Sequence, residues 1–301
     1  MKNKMKDDLG NRMKEYYEDR TRTFLPRRTY TIIRIDGKAF HTYTRGLERP
    51  FDKGLIDDMD AVTKFLCESI QGVKFGYVQS DEISLLLTDF DKNTTDAWFD
   101  GNIQKMASIS ASLATSKFNQ LRTERLLTSS WNSYVHGRGQ EDEPFFLKWD
   151  FTATLEKVKL AQFDSRVFTI PSEEEVINYF IWRQQDATRN SIQSVAQSMY
   201  SHKDLNGKTT DQMQEMIFVG GQNWNDFPIG QKRGRSVAKR IKLVPVSKQA
   251  AEKAKDKSQF VVNENGVFVE RNAWTIVDPP IFTQDKDFIR DEIYQKKEKE
   301  A

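Results

Sequence analysis

Residues 29–41, TYTIIRIDGKAFH, constrain this chain most, because a buried strand runs straight into an acid and a glycine. Tyr30, Ile32, Arg34 and Asp36 alternate with Thr31, Ile33 and Ile35, the pattern of a largely buried strand. A carboxylate at the end of such a strand is costly unless something positive meets it. Gly37 lets the backbone turn sharply and brings a bare carbonyl and amides close to a ligand. Two readings stand. A divalent cation on Asp36 and the Gly37 carbonyl, with phosphates on the following amides, explains the acid and the turn together. An aspartate capping its own loop explains them without a ligand.

The rest of the chain supplies the elements around this strand. Residues 7–22 read as a charged helix, and residues 28–35 as the first strand. Leu55, Met59, Val62, Phe65, Leu66 and Ile70 share one side of a helix predicted over 55–70 and stopped by Gly72. Val73, Phe75 and Tyr77 alternate, as do Ile83, Leu85 and Leu87 beyond the polar knot Gln79-Ser80-Asp81-Glu82. That is a strand, an acidic turn and a strand. Ile103, Met106, Ser110, Leu113 and Phe118 predict a second long helix over 96–121. In 122–162 the stretch FFLKWDFTATLE adds a possible strand. Residues 163–170 form a further strand, and Ser172 with Glu175 gives the capping-box start of a helix expected to break near 186–190.

The order β, α, β-β, α, β is the split βαβ pattern of a ferredoxin-like α+β fold, one antiparallel sheet covered by two helices. It lays the strand bearing Asp36 beside the hairpin bearing Asp81, so that two carboxylates face each other at one edge. This is the geometry of a polymerase palm. Residues 1–200 are assigned to the palm-like catalytic domain. Residues 201–301 are assigned to a basic C-terminal region with a hairpin at 261–277, packed on that domain.

With 38% hydrophobic and 30% charged residues, the chain has the composition of a globular protein with a sizeable core. No run reaches the length of an apolar membrane span, and the first residues lack an apolar signal core. The single cysteine, Cys67, excludes an intrachain disulfide and fits a reducing, cytoplasmic compartment. Its apolar helical setting makes it a core residue. A net charge of +2 does not mark a nucleic-acid binder, so that role must come from local patches. The run QKRGRSVAKRIK at 231–242 is such a patch, either gripping phosphates or forming a solvated face. His41, His136 and His202 are scattered, and no Walker A loop, GxSxG elbow or HExxH motif is present.

Asp36 and Asp81, with Glu82 alongside, suit a site where two divalent ions bridge the carboxylates and an incoming triphosphate. Hard oxygen ligands favour Mg²⁺ over zinc. The plainer reading is that Asp81 and Glu82 cap a hairpin. Arg183, Arg189 and Asn190 lie on a helix among Tyr179, Phe180 and Trp182. The rings are read there as packing, whereas an arginine in an apolar helix wants an anionic partner.

In order, RIDGKAFH, RPFD (49–52), YVQSDEISLLL, FDSRVFTIP and NYFIWRQQDATRNSI resemble the tRNA-His guanylyltransferase superfamily over about residues 28–235. The resemblance implies a palm-like enzyme that extends RNA in the 3′-to-5′ direction. A tRNA 5′-phosphate is first activated by a nucleoside triphosphate, and the 3′-hydroxyl of an incoming GTP or other NTP then attacks it, so that tRNA, GTP and ATP are the implied partners. By this likeness Asp36, the Gly37 carbonyl and Asp81 ligate two Mg²⁺ ions, with Glu82 as their acidic neighbour. Lys38, Ala39, Phe40 and His41 cradle the triphosphate beside Ser80, and Arg49 and Asp52 handle the nucleotide. Arg34, Arg166, Arg183, Asn190, Lys232 and Arg233 fall where the family handles phosphates or RNA. The resemblance also implies homotetramers. The eukaryotic enzymes carry an HINNLYN block where this chain reads ATRNSIQSVAQ, which resembles the guanylyltransferase-like branch that repairs tRNA 5′ ends from a template. The likeness carries nothing over to 122–162. Two other functions fit the same elements: a palm-type nucleotide cyclase, and a non-catalytic RNA-binding module with exposed rings on the central strands.

Overall fold

The computed structural model describes residues 7–136, 155–156, 158–247, 249, 260–263 and 266–294. Its sheet is built from β1 (Tyr30–Gly37), β2 (Val73–Gln79), β3 (Glu82–Leu87), β4 (Phe163–Ile170), β5 (Arg235–Val246), β6 (Phe260–Asn263) and β7 (Gly266–Val277). The seven strands lie in the order β4-β1-β3-β2-β5-β7-β6, and every neighbouring pair is antiparallel. The first four reproduce the predicted ferredoxin-like core, with β1 between β3 and β4. The basic run at 231–242 feeds directly into β5, which pairs with β2 through Gly76–Val237 and Val78–Arg235. A long β5–β7 ribbon, edged by β6, therefore extends the same sheet.

Helices cover both faces. The chain forms α1 (Asp8–Met13), α2 (Phe40–Tyr43), α3 (Lys53–Ser69), α4 (Ile103–His136), α5 (Glu173–Met199), α6 (His202–Leu205), α7 (Thr210–Val219), α8 (Ile229–Arg233) and α9 (Asp287–Tyr294). Strand alternation divides the apolar residues between two layers. Ile33, Ile35, Ile83 and Leu85 pack with Met59, Val62 and Leu66 of α3 and with Phe118 of α4. Ile32, Phe75, Tyr77 and Leu86 pack with Val176, Ile177 and Phe180 of α5 and with Ile289 and Ile293 of α9. β2 and β3 are buried along their whole length, which explains their nearly continuous hydrophobicity. The two predicted helices thus account for one face, and α5 with α9 adds a second layer. That layer covers the face on which an RNA-binding module would display stacking rings, which removes that reading.

Three boundaries differ from the sequence reading. α4 begins at Ile103 instead of 96, because Phe99 and Asp100 take positive φ values of 49° and 55° and Asn102 then accepts from the Lys105 amide. It continues to His136, well beyond 121. α5 does not break near 186–190, where Asp186 pairs along the helix with Arg183 at 3.2 Å and Arg189 at 2.9 Å. The strand considered in FFLKWDFTATLE falls almost wholly outside the described residues. Among the described residues, no helix is long and apolar enough to cross a membrane.

Close packing of α3 on the sheet depends on Gly76. A Cβ there would lie 2.8 Å from the Cys67 sulfur and 3.2 Å from Thr63 Cγ2. Burial holds the Cys67 thiol well above its usual pKa, in keeping with a core role. Gly76→Ala is expected to destabilise the protein by about 1–3 kcal/mol through overpacking, read as a lower urea midpoint. An unchanged midpoint contradicts this packing.

Candidate active site

The site lies where β1 and the β2–β3 hairpin end together. Asp36 is the register partner of Glu82, and the Gly37 amide donates to the Asp81 carbonyl at 3.2 Å. Asp81 therefore sits at the same rim as Asp36, although the two are distant in the chain. Ser80 supplies the turn with a positive φ of 48°, and its hydroxyl donates to Asp81 at 2.8 Å. On the β1 side, a Cβ on Gly37 would collide with the Phe40 ring, so glycine is required there. Phe40 itself is clamped among Tyr43, Phe118 and Phe163 at centroid distances of 5.0, 5.6 and 5.1 Å. The turn is thus rigidly anchored. The Lys38 amide donates to the Gln162 carbonyl at 2.8 Å. Among the described residues, no backbone carbonyl takes up the amides of Ala39, Phe40 and His41.

The three acids meet different electrostatic fates. Glu82 is buried, and both its oxygens are held by Arg183 at 2.8 Å while Arg34 reaches one of them at 2.5 Å. Arg183, only 2% exposed, lies 3.7 Å above the Trp182 ring. Asp81 has no ion-pair partner among the described residues. Burial pushes its pKa up to about 6, with repulsion from Asp36 and Glu82 adding to the rise and the Ser80 hydroxyl opposing it. Burial also raises the Asp36 pKa, helped by Glu82 and Asp164 and opposed by Arg34 and Arg166. The nearest cation to Asp36 is the exposed Arg166, at 3.9 Å. Among the described residues, no three His, Cys, Asp or Glu side chains form a ready-made metal cage. Two carboxylates and nearby carbonyls are nevertheless a hard-oxygen set of the kind that holds Mg²⁺ together with water and substrate phosphates.

Two cavities meet at the acids. One of about 410 Å³ runs from Asp81 and Ser80 past His41, Arg49 and Asp52 to Asn190 and Arg235. The other, of about 260 Å³, lies between Asp36, Asp81 and Asp186. Gln79, Ser80, Asp81, Asn190, Ser194 and Gln197 line both.

The remaining sequence-derived residues scatter in role. Asp52 caps α3 by accepting from the Leu55 amide at 2.7 Å, while also lining the larger cavity. Lys38 Nζ donates to the Gln162 side chain at 3.1 Å. Lys232 is 8% exposed and donates to the Asn225 carbonyl at 2.5 Å, over the Trp224 ring, and burial lowers its pKa. Arg233 lies over the same ring at 5.6 Å. The basic run is therefore partly spent on local structure. Sequence reasoning missed Gln193, Ser194 and Gln197, which extend a polar stripe from Asp186 and Asn190 along α5. Helical spacing alone could have found it. It also missed Asp164, the register partner of Asp36 across β4.

An antiparallel palm-like sheet with paired acids at the end of its central strands, beside a polar cavity, places the chain among nucleotide-handling α+β enzymes. Comparison with known proteins narrows this class. The family model described as tRNAHis guanylyltransferase matches residues 10–171, more than half of the chain. A solved bacterial tRNA(His) guanylyltransferase (Thg1)-like protein in complex with ATP is 36% identical, covering 95% of this chain and 99% of its own, with a TM-score of 0.71. A bacterial Thg1-like protein in complex with GTP is also 36% identical, covering 96% and 100%, with a TM-score of 0.67. A probable tRNA(His) guanylyltransferase of Drosophila melanogaster is 27% identical over 73% of this chain and 71% of its own. The chain belongs to the tRNA-His guanylyltransferase family and is a nucleotidyltransferase.

The Asp81 environment sets a pH dependence. A folded-state pKa raised above the unfolded value means that ionisation costs stability as pH rises from about 4 through about 6. In metal-free buffer Asp81→Asn is expected to stabilise the protein at pH 8, by on the order of 1–2 kcal/mol allowing for solvent screening. The gain should vanish near pH 3.5. Thermal unfolding at both pH values checks this, and equal stability of the two proteins at pH 8 contradicts it.

Proposed function

We propose that the protein adds nucleotides to the 5′ end of tRNA in the 3′-to-5′ direction, with Asp36 and Asp81 as ligands for two Mg²⁺ ions. The observation that carries this reading is the convergence of Asp36, at the end of β1, and Asp81, in the β2–β3 turn, beside two polar cavities that share Asp81. Arg166, at 3.9 Å, is the nearest cation to Asp36, and Asp81 has no ion-pair partner among the described residues. Family membership supplies the nucleotidyl-transfer chemistry, and the ATP and GTP complexes of Thg1-like relatives support nucleoside triphosphates as substrates.

The chemistry proceeds in two exchanges. The tRNA 5′-phosphate attacks the α-phosphate of ATP, forming a phosphoanhydride and releasing pyrophosphate. The 3′-hydroxyl of an incoming GTP, or another templated nucleotide, then attacks the activated 5′-phosphate and releases AMP. When bound, Mg²⁺ lowers the pKa of the attacking hydroxyl and neutralises charge on the leaving group. Asp36, Asp81 and the Gly37 carbonyl would hold the ions. The amides of Ala39, Phe40 and His41 receive the triphosphate, held in place by the Phe40 anchor. Arg34 and Arg183 keep Glu82 neutralised, so that it shapes the rim without competing for the ions. Arg49 and Asn190 face the nucleotide from the walls of the larger cavity. Repair of truncated tRNA 5′ ends is the substrate setting this reading favours.

The test uses 5′-labelled truncated tRNA, NTPs and Mg²⁺. Asp36→Ala and Asp81→Ala should each lower nucleotide addition by at least about a hundredfold, with far-UV circular dichroism unchanged. Undiminished addition by either variant refutes the assignment, and cyclic nucleotide formed without RNA would favour the cyclase alternative.

A further inference from the structure

α5 presents one residue whose surroundings packing alone does not explain. Trp182 is 45% exposed, although Tyr179 and Phe180 on the same helix are buried. It stands in a solvent-facing stripe of polar residues at helical spacing, Asn178, Gln185 and Arg189. One interaction fixes its orientation: the buried Arg183 guanidinium lies 3.7 Å from the ring centroid, while Tyr179 meets it edge-on at 5.9 Å. Ring placement is therefore set before any ligand arrives.

The neighbouring sheet edge supplies cations. Arg34 lies 5.6 Å from the Trp182 centroid and is the register partner of Arg166 on β4. Asp164 and Arg166 are exposed, so α5 leaves this half of β4 open. Arg166 in turn lies 3.9 Å from Asp36, which connects the open shelf to the acid rim. A pre-oriented indole beside guanidiniums, at the margin of a site for phosphate chemistry, has the composition of a single-strand nucleic-acid platform.

We infer that Trp182 is a stacking shelf for an unpaired base of the RNA strand, with Arg166 taking a flanking phosphate. This rests on the tRNA-directed reading above and names how the single-stranded part of that substrate is held. Stacking tolerates any base, since each presents a π-face, so the shelf positions RNA without selecting sequence.

The test titrates the full-length protein with a single-stranded RNA octanucleotide carrying one 2-aminopurine, whose fluorescence falls on stacking. Wild-type protein should quench it. Trp182→Leu should lose the quenching and bind about tenfold more weakly, whereas Trp182→Phe retains most of the affinity. A blunt RNA duplex should show no difference between the variants, and the KM for GTP should stay unchanged in Trp182→Leu. Equal octanucleotide affinity in wild type and Trp182→Leu overturns the inference, as does a change confined to subunit association in sedimentation. It is also overturned if Trp182→Phe fails as completely as Trp182→Leu while the KM for GTP rises, which would mean the ring acts only by holding Arg183. Binding needs no turnover. Absence of nucleotide addition by wild-type protein sinks the proposed function, whereas these titrations judge the shelf separately.

Discussion

The structure depends on holding like charges together at the end of a buried sheet. The β1–β3 register sets Asp36 against Glu82, and the Gly37 amide ties the Asp81 backbone to the same rim. Burial, with this proximity adding to it, raises the cost of ionising Asp36 and Asp81. The buried Arg183 and the partly buried Arg34 neutralise Glu82, and equivalent partners are not supplied to Asp36 or Asp81 among the described residues. The remaining negative charge is thereby concentrated at one place. On the proposed reading, a divalent cation bound between Asp36 and Asp81 would relieve it directly.

Rigidity makes that concentration useful. Phe40 sits in a knot of aromatic rings, so the turn after β1 cannot relax away from the acids. Across the rim, Arg183 is gripped by Glu82, Asp186 and Trp182, which locks α5 over the sheet. Preorganised charge of this kind needs no rearrangement during a reaction. Two polar cavities share Asp81, and the smaller of them also reaches Asp36. In the proposed reaction a triphosphate and an RNA end would have to meet beside these acids, although the two repel each other until their charge is neutralised.

Much of this was legible in the sequence because alternation and helical spacing survive wherever one face of an element meets the core. β1, the acidic hairpin, β4 and the Ser172-capped start of α5 all carry local signals, and their order alone gives the neighbours of the central strand. The second helical layer left a weaker trace. Strands buried on both faces read as hydrophobic runs without stating what covers the second side, as in β2 and β3. Long-range pairing of β5 with β2 has no local signature, so the basic run looked like surface. Lys232 is buried instead. Within the site, acids adjoining turn residues were visible, whereas the capping by Asp52 and the grip of Arg34 and Arg183 on Glu82 depend on contacts between distant elements.

The most direct measurement locates the cation. Crystals grown with Mn²⁺ in place of Mg²⁺ and a non-hydrolysable GTP analogue report metal positions by anomalous scattering. The account predicts peaks at coordination distance, about 2.1 Å, from both the Asp36 and Asp81 carboxylates, with the analogue's phosphates completing the shell. Metal bound elsewhere, or touching one of these carboxylates and never the other, would contradict it.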